Sequence, residues 1–421
     1  MLNSRNAREP FIKLKILTVF RTPGQFPRPL KNRSIYPPHR YTRRNSTMRA
    51  QVLEKFNTPY VFKEDFPKPP EPKGKDILIQ VLAASYCHTD AVFASGSMWQ
   101  DLPRVGSHEF AGKIVALGPD VDQSLGLSVG KSVGVPGRAY RPCGECYECL
   151  NNDGDPDKYG VWCKKAGNLG LSRDGGFQEY AIADSRQVAP IPEGLKAVET
   201  APLMCAGLTI WAALEKTGVK LEEGGGKGMQ IAISGAGGGL GHLGVQFAAR
   251  LGCEVVAIET GDKQLELLQE VIKELGEDGM RVTIVDARKE SAEDVRIAVS
   301  GKPEPTLEGE KGCDGALILP ESQKAFEYGM KLLKDHGVCV CVSFPIDGLH
   351  MNPRDLVFRH IKLTGVLVGR NRQLRSMLKF AASNGVRAKS TTYPLEKLND
   401  LVEDYHKAEG GKLVIDMAKN I

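Results

Sequence analysis

The sequence predicts an α/β protein in two parts, a β-rich part followed by a doubly wound parallel sheet. Three observations lead there. Residues 48–206 read as short apolar strands separated by turns marked with Gly and Pro, whereas the chain after Gly207 alternates apolar strands with helical stretches. A glycine run, Gly235-Ala236-Gly237-Gly238-Gly239-Leu240-Gly241, lies between a strand and a helix. A length of 421 residues also exceeds one ordinary core and suits two domains.

Taken in order, residues 1–47 are Arg-rich, almost free of acid and broken by Pro23, Pro27, Pro29, Pro37 and Pro38, with one amphipathic stretch from Phe11 to Phe20. This is the composition of a mitochondrial presequence. An unstructured extension upstream of a second start at Met48 reads equally well, so the expected location is the cytoplasm or the mitochondrial matrix. N-terminal sequencing of the native protein separates the two. Strands are expected at Asp76–Ala84 and Phe110–Gly118 in the first part. In the second they are expected at 230–234, 254–258, 281–285, 315–319 and 338–342, with a helix running through Val245–Arg250 and an exposed loop over Glu304–Lys311.

The net charge of +5 divides unevenly. Residues 1–50 carry twelve Lys and Arg against one acid, leaving 44 basic and 50 acidic residues beyond them. A basic face for nucleic acid is therefore not supported in the folded body. No apolar run approaches the roughly 18 residues of a membrane span. Ten cysteines in a chain of this length suit metal binding in a reducing compartment better than a disulfide framework.

Two groups of metal-ligand residues stand out. Cys87-His88-Thr89-Asp90 and Gly106-Ser107-His108-Glu109 offer a thiolate and an imidazole about twenty residues apart, each followed by a carboxylate, and Cys205 lies far downstream among small apolar residues. A Cys, His, Cys set leaves one coordination position of a zinc ion open for water or substrate, the mark of a catalytic site. Taken singly, each of these residues reads as an ordinary buried core residue. Cys143, Cys146 and Cys149, followed by Cys163, supply four thiolates, which close a tetrahedral site and make it structural. The acidic neighbours Glu145, Glu148, Asp153, Asp155 and Asp157 argue against a nucleic-acid zinc ribbon.

The glycine run lets the backbone approach a pyrophosphate, which the free N–H groups and dipole of the following helix then bind. Gly238, Gly239, Leu240 and Gly241 are the expected contacts. Glu259 ends the next strand eighteen residues after Gly241, where a carboxylate accepts bonds from ribose hydroxyls and repels a 2′-phosphate. NAD is therefore expected over NADP, with Lys263 close enough to soften the preference.

In this combination the chain resembles the zinc-containing medium-chain alcohol dehydrogenases, and looks most like the fungal ethanol-type enzymes. The likeness runs from Met48 to the C-terminus through the motifs above, Asp174-Gly175-Gly176-Phe177-Gln178-Glu179-Tyr180 and Ala201-Pro202-Leu203-Met204-Cys205-Ala206-Gly207-Leu208-Thr209. The resemblance implies a GroES-like catalytic domain of residues 48–206 and 368–421, with a Rossmann-type domain of residues 207–367 between them. It implies two zinc ions per chain: a catalytic one on Cys87, His108 and Cys205 with Glu109 behind it, and a structural one on Cys143, Cys146, Cys149 and Cys163. It places Asp90 on His108, Thr89 on the substrate oxygen, and His88 and Lys412 at the cofactor pyrophosphate. It further implies a small alcohol or aldehyde as substrate and a homo-oligomer, dimer or tetramer, with no nucleic-acid or membrane partner.

Three departures matter. Ser107 replaces a usual glycine, tolerable if its φ is negative. Lys412 stands where an arginine is common, a point charge for a planar fork. Val92 stands where many members carry a proton-relay histidine. The expected reaction is oxidation of an alcohol, activated by zinc and assisted by Thr89, with hydride passing to NAD, or the reverse. Two alternatives are an NADP-dependent aldehyde reductase of the same fold and a catalytically silent relative kept for binding.

Overall fold

The computed structural model describes residues 47–98, 101–138, 140–151, 160–300 and 307–419. Residues 1–46 of the basic extension, Trp99 and most of the polar loop between Cys149 and Cys163 lie outside the described residues.

The strand Asp76–Tyr86 is the spine of the first part. Its sequence is almost continuously apolar, and ten of its eleven residues are buried or half-buried, as a strand covered on both faces requires. It is the hub of a seven-stranded sheet, pairing antiparallel with Glu109–Leu117 on one edge and with both Tyr180–Asp184 and Lys412–Asp416 on the other. The C-terminal strand therefore returns to the first part, with Leu413 opposite Tyr86, one residue before Cys87. A separate three-stranded sheet joins Thr47–Leu53 to Val61–Pro67 and Arg104–Val105.

The second part is a six-stranded parallel sheet in the order Val282–Asp286, Glu254–Glu259, Gln230–Ser234, Cys313–Ile318, Leu333–Cys341, Lys362–Gly365. The central strand Gln230–Ser234 is where the winding reverses, so the crevice at its carboxyl end is a natural ligand site. The glycine run occupies that end and leads into the helix Gly241–Arg250. All five strands expected here form, Gln230–Ser234 with the same ends and the others within five residues at theirs.

The helix Asn371–Ser383 lies beyond residue 368, yet Leu374, Met377 and Leu378 share a core with the nucleotide-sheet strands and the helices Ala206–Lys216 and Gly241–Arg250. Phe380 packs on Trp211 at a 4.9 Å centroid separation. The chain rejoins the first sheet only at Ser390–Tyr393. An amphipathic helix goes where its apolar face finds cover, which a motif boundary does not reveal. Among the described residues, no single helix is long and apolar enough to cross a membrane.

Candidate active site

Three chain segments converge on the first cluster. Cys87 caps the helix His88–Ala94 directly after the spine strand, His108 precedes the strand Glu109–Leu117, and Cys205 sits in the break between the turn Ala201–Met204 and the helix Ala206–Lys216. Their ligand atoms all lie within 4.8 Å of one another, and all three residues are buried. Two strands paired side by side deliver Cys87 and His108, because Ser85 opposes Glu109 across the ladder.

Asp90 organises the pair. It is fully buried in the first turn of the Cys87 helix, and its carboxylate accepts from the backbone N–H groups of Cys87 and Ser107 at 3.0 and 3.1 Å. It also lies 3.3 Å from His108 Nδ1. A carboxylate only accepts, so Nδ1 carries the proton and Nε2 presents its lone pair. Nε2 is buried and has no hydrogen-bond partner among the described residues, as a metal ligand without its metal would be. The Cys87 thiol is held well below its ordinary range by a hydrogen bond from Cys205, which outweighs its burial, with help from the Lys412 charge. Thr89 Oγ1 lies 3.9 Å from Cys87 Sγ, at the edge of the cluster.

Ser107 does not meet the expected condition. Its φ is +68°, in the left-handed region that favours glycine. The fully buried side chain offsets the strain with its one hydroxyl proton, donated to Ser85 O at 3.1 Å, which ties the two ligand-bearing segments together, or locally to Glu109 O at 3.2 Å.

Glu109 lies beside the three-residue cluster and is not part of it. Its carboxylate accepts from Ala206 N–H at 3.4 Å and from the Lys412 ammonium. Burial pushes this carboxyl up to about 7 against the pull of the lysine. The ammonium of Lys412, expected near a pyrophosphate, binds Glu109 and Tyr86 O, the latter at 2.9 Å. Its stem still touches the glycine run, with Cδ 3.2 Å from where a Cβ on Gly239 would stand. His88 is engaged as well, with Nδ1 2.8 Å from Tyr405 Oη and Nε2 3.4 Å from Glu321. Neither Tyr405 nor Glu321 carries a local signal in the sequence; only the packing of the helix Leu398–His406 against Tyr86 brings the phenol there.

The glycine run is built for close approach. A Cβ on Gly241 would stand 2.1 Å from Gly235 O, and one on Gly237 would stand 2.4 Å from Gln264 O, whereas Gly238 is nearly open. Glu259 accepts from the N–H groups of Gly237 at 2.9 Å and Thr260 at 2.8 Å, so it braces the loop from the neighbouring strand end. Lys263 is paired with Glu409 of the C-terminal segment.

The second cluster gathers Cys143, Cys146, Cys149 and Cys163, with Cys163 as its fourth member. Their sulfurs are separated by 4.0 Å (Cys143 to Cys149), 3.8 Å (Cys146 to Cys163) and 3.7 Å (Cys143 to Cys163). Zinc–sulfur bonds of 2.3 Å in a tetrahedron set sulfurs about 3.8 Å apart, so the four fit one ion. Backbone N–H groups of Cys146 and Cys143 point at the Cys143 and Cys163 sulfurs at 3.4 and 3.5 Å, and the N–H groups of Glu145 and Cys146 hold the Cys143 thiol below its ordinary range.

Residues 73–193 match the alcohol dehydrogenase GroES-like domain, and residues 239–383 match the zinc-binding dehydrogenase family. An alcohol dehydrogenase of Geobacillus stearothermophilus is 34% identical over 372 residues, covering 87% of this chain and 99% of its own. Alcohol dehydrogenase 2 of the fungus Emericella nidulans is 32% identical over 356 residues, covering 82% of this chain and 89% of its own. The crystal structure of the alcohol dehydrogenase of Aeropyrum pernix superposes with a TM-score of 0.71 at 26% identity, covering 87% of this chain and 99% of that one. Full-length likeness of this kind, on a chain whose metal-ligand residues converge as described, makes it a member of the zinc-containing medium-chain alcohol dehydrogenases, and its activity that of a zinc-dependent alcohol dehydrogenase.

Proposed function

We propose that the chain interconverts alcohols with aldehydes or ketones using NAD rather than NADP, with one zinc ion on Cys87, His108 and Cys205 and a second on the four clustered cysteines. One observation carries the reading: Lys412 touches both halves, its ammonium on Glu109 beside the three-ligand cluster and its stem against Gly239 of the glycine run. That the three-ligand cluster and the glycine run both adjoin this one side chain supports a shared site.

When bound, the metal polarises the alcohol or carbonyl oxygen and the dinucleotide carries the electron pair. The chain's own residues do the rest. Cys87, His108 and Cys205 would hold the metal, Asp90 fixes the histidine tautomer, and the Thr89 hydroxyl would pass on the alcohol proton. Val92 has no donor or acceptor, so its side chain cannot take the proton onward from Thr89. The Glu259 carboxylate, fixed at the strand end by Gly237 N–H, supports NAD because it repels a 2′-phosphate.

Turnover of an alcohol panel with each cofactor, run beside a metal count, tests this. Two zinc ions per chain and faster turnover with NAD are expected; one ion or none in active protein, or a preference for NADP, would overturn the corresponding part. A homo-oligomer is proposed as well. Phe344, Ile346, Val357, Phe358, Leu363 and Leu367 are exposed on and around the sheet-edge strand Lys362–Gly365, a contiguous stretch of sequence that a second copy would cover. Light scattering on the purified protein reads this directly.

A further inference from the structure

The surroundings of Glu259 hold more charge than one carboxylate. Strand Glu254–Glu259 runs in register with Val282–Asp286, which sets Asp286 beside Glu259, and Ala287 N–H donates to Glu259 O at 3.0 Å. Three cations come to this strand end. Lys263 opens the helix Asp262–Leu275, and Arg288 and Lys289 follow Asp286. Each is already matched to a carboxylate. Arg288 binds Asp262 at 2.7 Å and Asp286 at 2.8 Å, Lys289 binds Asp286 at 3.1 Å, and Lys263 binds Glu409. Glu409 belongs to the C-terminal segment of the other part of the molecule, and Gln264 strengthens that crossing through Ala408 O.

A 2′-phosphate carries close to two negative charges and is held in dinucleotide sites by an arginine or lysine fork. Here the cations within reach are spoken for, and Glu259 spends its own oxygens on Gly237 and Thr260. We propose that selection against the 2′-phosphate has a second layer: Glu409 and Asp262, together with Asp286, withhold Lys263 and Arg288 from the adenosine ribose. The specificity-determining set then spans both parts of the chain. Lys263 does not soften the discrimination, contrary to what its place in the sequence suggests, because Glu409 neutralises it. This layer rests on the NAD reading above and goes beyond it in naming residues that no strand-end motif contains.

The pairs are exposed, with 60% of the Lys263 and 52% of the Glu409 side chain accessible, so each contributes modestly. The test is calorimetric titration of the full chain with AMP and with adenosine 2′,5′-bisphosphate, which reads binding without turnover. Four proteins are compared: wild type, Glu259→Ser, Glu259→Ser with Glu409→Gln, and that double variant with Lys263→Met added. Glu259→Ser should narrow the preference for AMP. Adding Glu409→Gln should tighten the bisphosphate by a further factor of about five, the worth of one exposed ion pair, with AMP affinity unchanged. Adding Lys263→Met should erase that gain. Asp262→Asn on the Glu259→Ser background probes Arg288 in the same way. No gain from Glu409→Gln, or a gain that survives Lys263→Met, overturns the second layer and leaves the NAD reading standing. A wild type that prefers the bisphosphate, or a Glu259→Ser variant with no change, overturns the NAD reading itself.

Discussion

The two cysteine-bearing clusters of this molecule use similar ligands to opposite ends. The four-cysteine cluster is drawn from one loop, Cys143 to Cys163, with two of its residues half-exposed, and its sulfurs already stand at tetrahedral spacing. The three-ligand cluster is drawn from Cys87, His108 and Cys205, wholly buried, and each ligand comes from a different element. A closed set of four thiolates has no room for substrate, so what a metal there would offer is folding free energy. An open set of three must be held in place by something else, and here that is Asp90, Ser107 and the strand ladder beneath them. On the proposed reading, the rigidity that a metal would supply at one site is supplied by the protein at the other.

The sharpest way to break this contrast is to remove one ligand from each. Cys205→Ser should cut turnover by about 10³-fold or more, since Lewis-acid activation is worth several kcal/mol, while circular dichroism and the melting temperature stay close to wild type. Cys146→Ser should do the reverse in kind, lowering the melting temperature by on the order of 10 °C because binding at a closed site contributes to folding. If Cys205→Ser unfolded the protein, or Cys146→Ser melted like wild type, the division of labour drawn here would be wrong.

Lys412 tests the support beneath the open site. With Lys412→Met, Glu109 is left buried without its cation, which costs about 3–5 kcal/mol when the carboxylate is ionised. Burial already holds that carboxyl up at about 7. A raised acid pKa means the folded state keeps its proton where the unfolded state has lost it, so stability falls as pH rises from the ordinary carboxylate range through 7. Denaturation midpoints of Lys412→Met should therefore lie nearest to wild type in acid and fall furthest below it at pH 8.

A second contrast is between two buried histidines. His108 uses one nitrogen and leaves the other without a partner, whereas His242, in the helix after the glycine run, uses both: Nδ1–H donates to Gly238 O at 2.9 Å and Nε2 accepts from Lys389 N–H at 3.0 Å. His242 is thereby fixed as neutral, and burial pushes it down to about 4. A depressed pKa gives stability that is present above the ordinary histidine value and lost as pH falls through about 4, a loss of about 3 kcal/mol in all. His242→Gln should flatten the acid limb of the melting-temperature profile between pH 6.5 and 4. An unchanged slope would mean that other groups govern it.

The smallest effect expected is at Ser107. Glycine would relieve a left-handed φ worth about 1 kcal/mol but lose the Oγ bond to Ser85 O, whereas alanine keeps the strain and also loses the bond. Ser107→Gly should lie within about 1 kcal/mol of wild type and Ser107→Ala below both. Equal stability of the two variants would show that the backbone strain is not felt.

What the sequence determined by itself is whatever depends on neighbours along the chain. Three cysteines at three-residue spacing, a glycine run between strand and helix, and alternating apolar strands are local patterns, and the closed cluster, the glycine loop and the parallel sheet all stand where those patterns put them. What only the tertiary structure decided depends on contacts across the chain. Lys412, separated from Glu109 by 303 residues, turned to it because a buried carboxylate attracts the nearest cation more strongly than an expected role can. His88 found Tyr405, and Lys263 found Glu409, for the same reason: the return of the C-terminal segment set those groups in reach, and no spacing rule encodes that return. The left-handed φ at Ser107 likewise goes with distant partners, its N–H donating to Asp90 at 3.1 Å and its C=O accepting from Gly176 N–H at 2.9 Å.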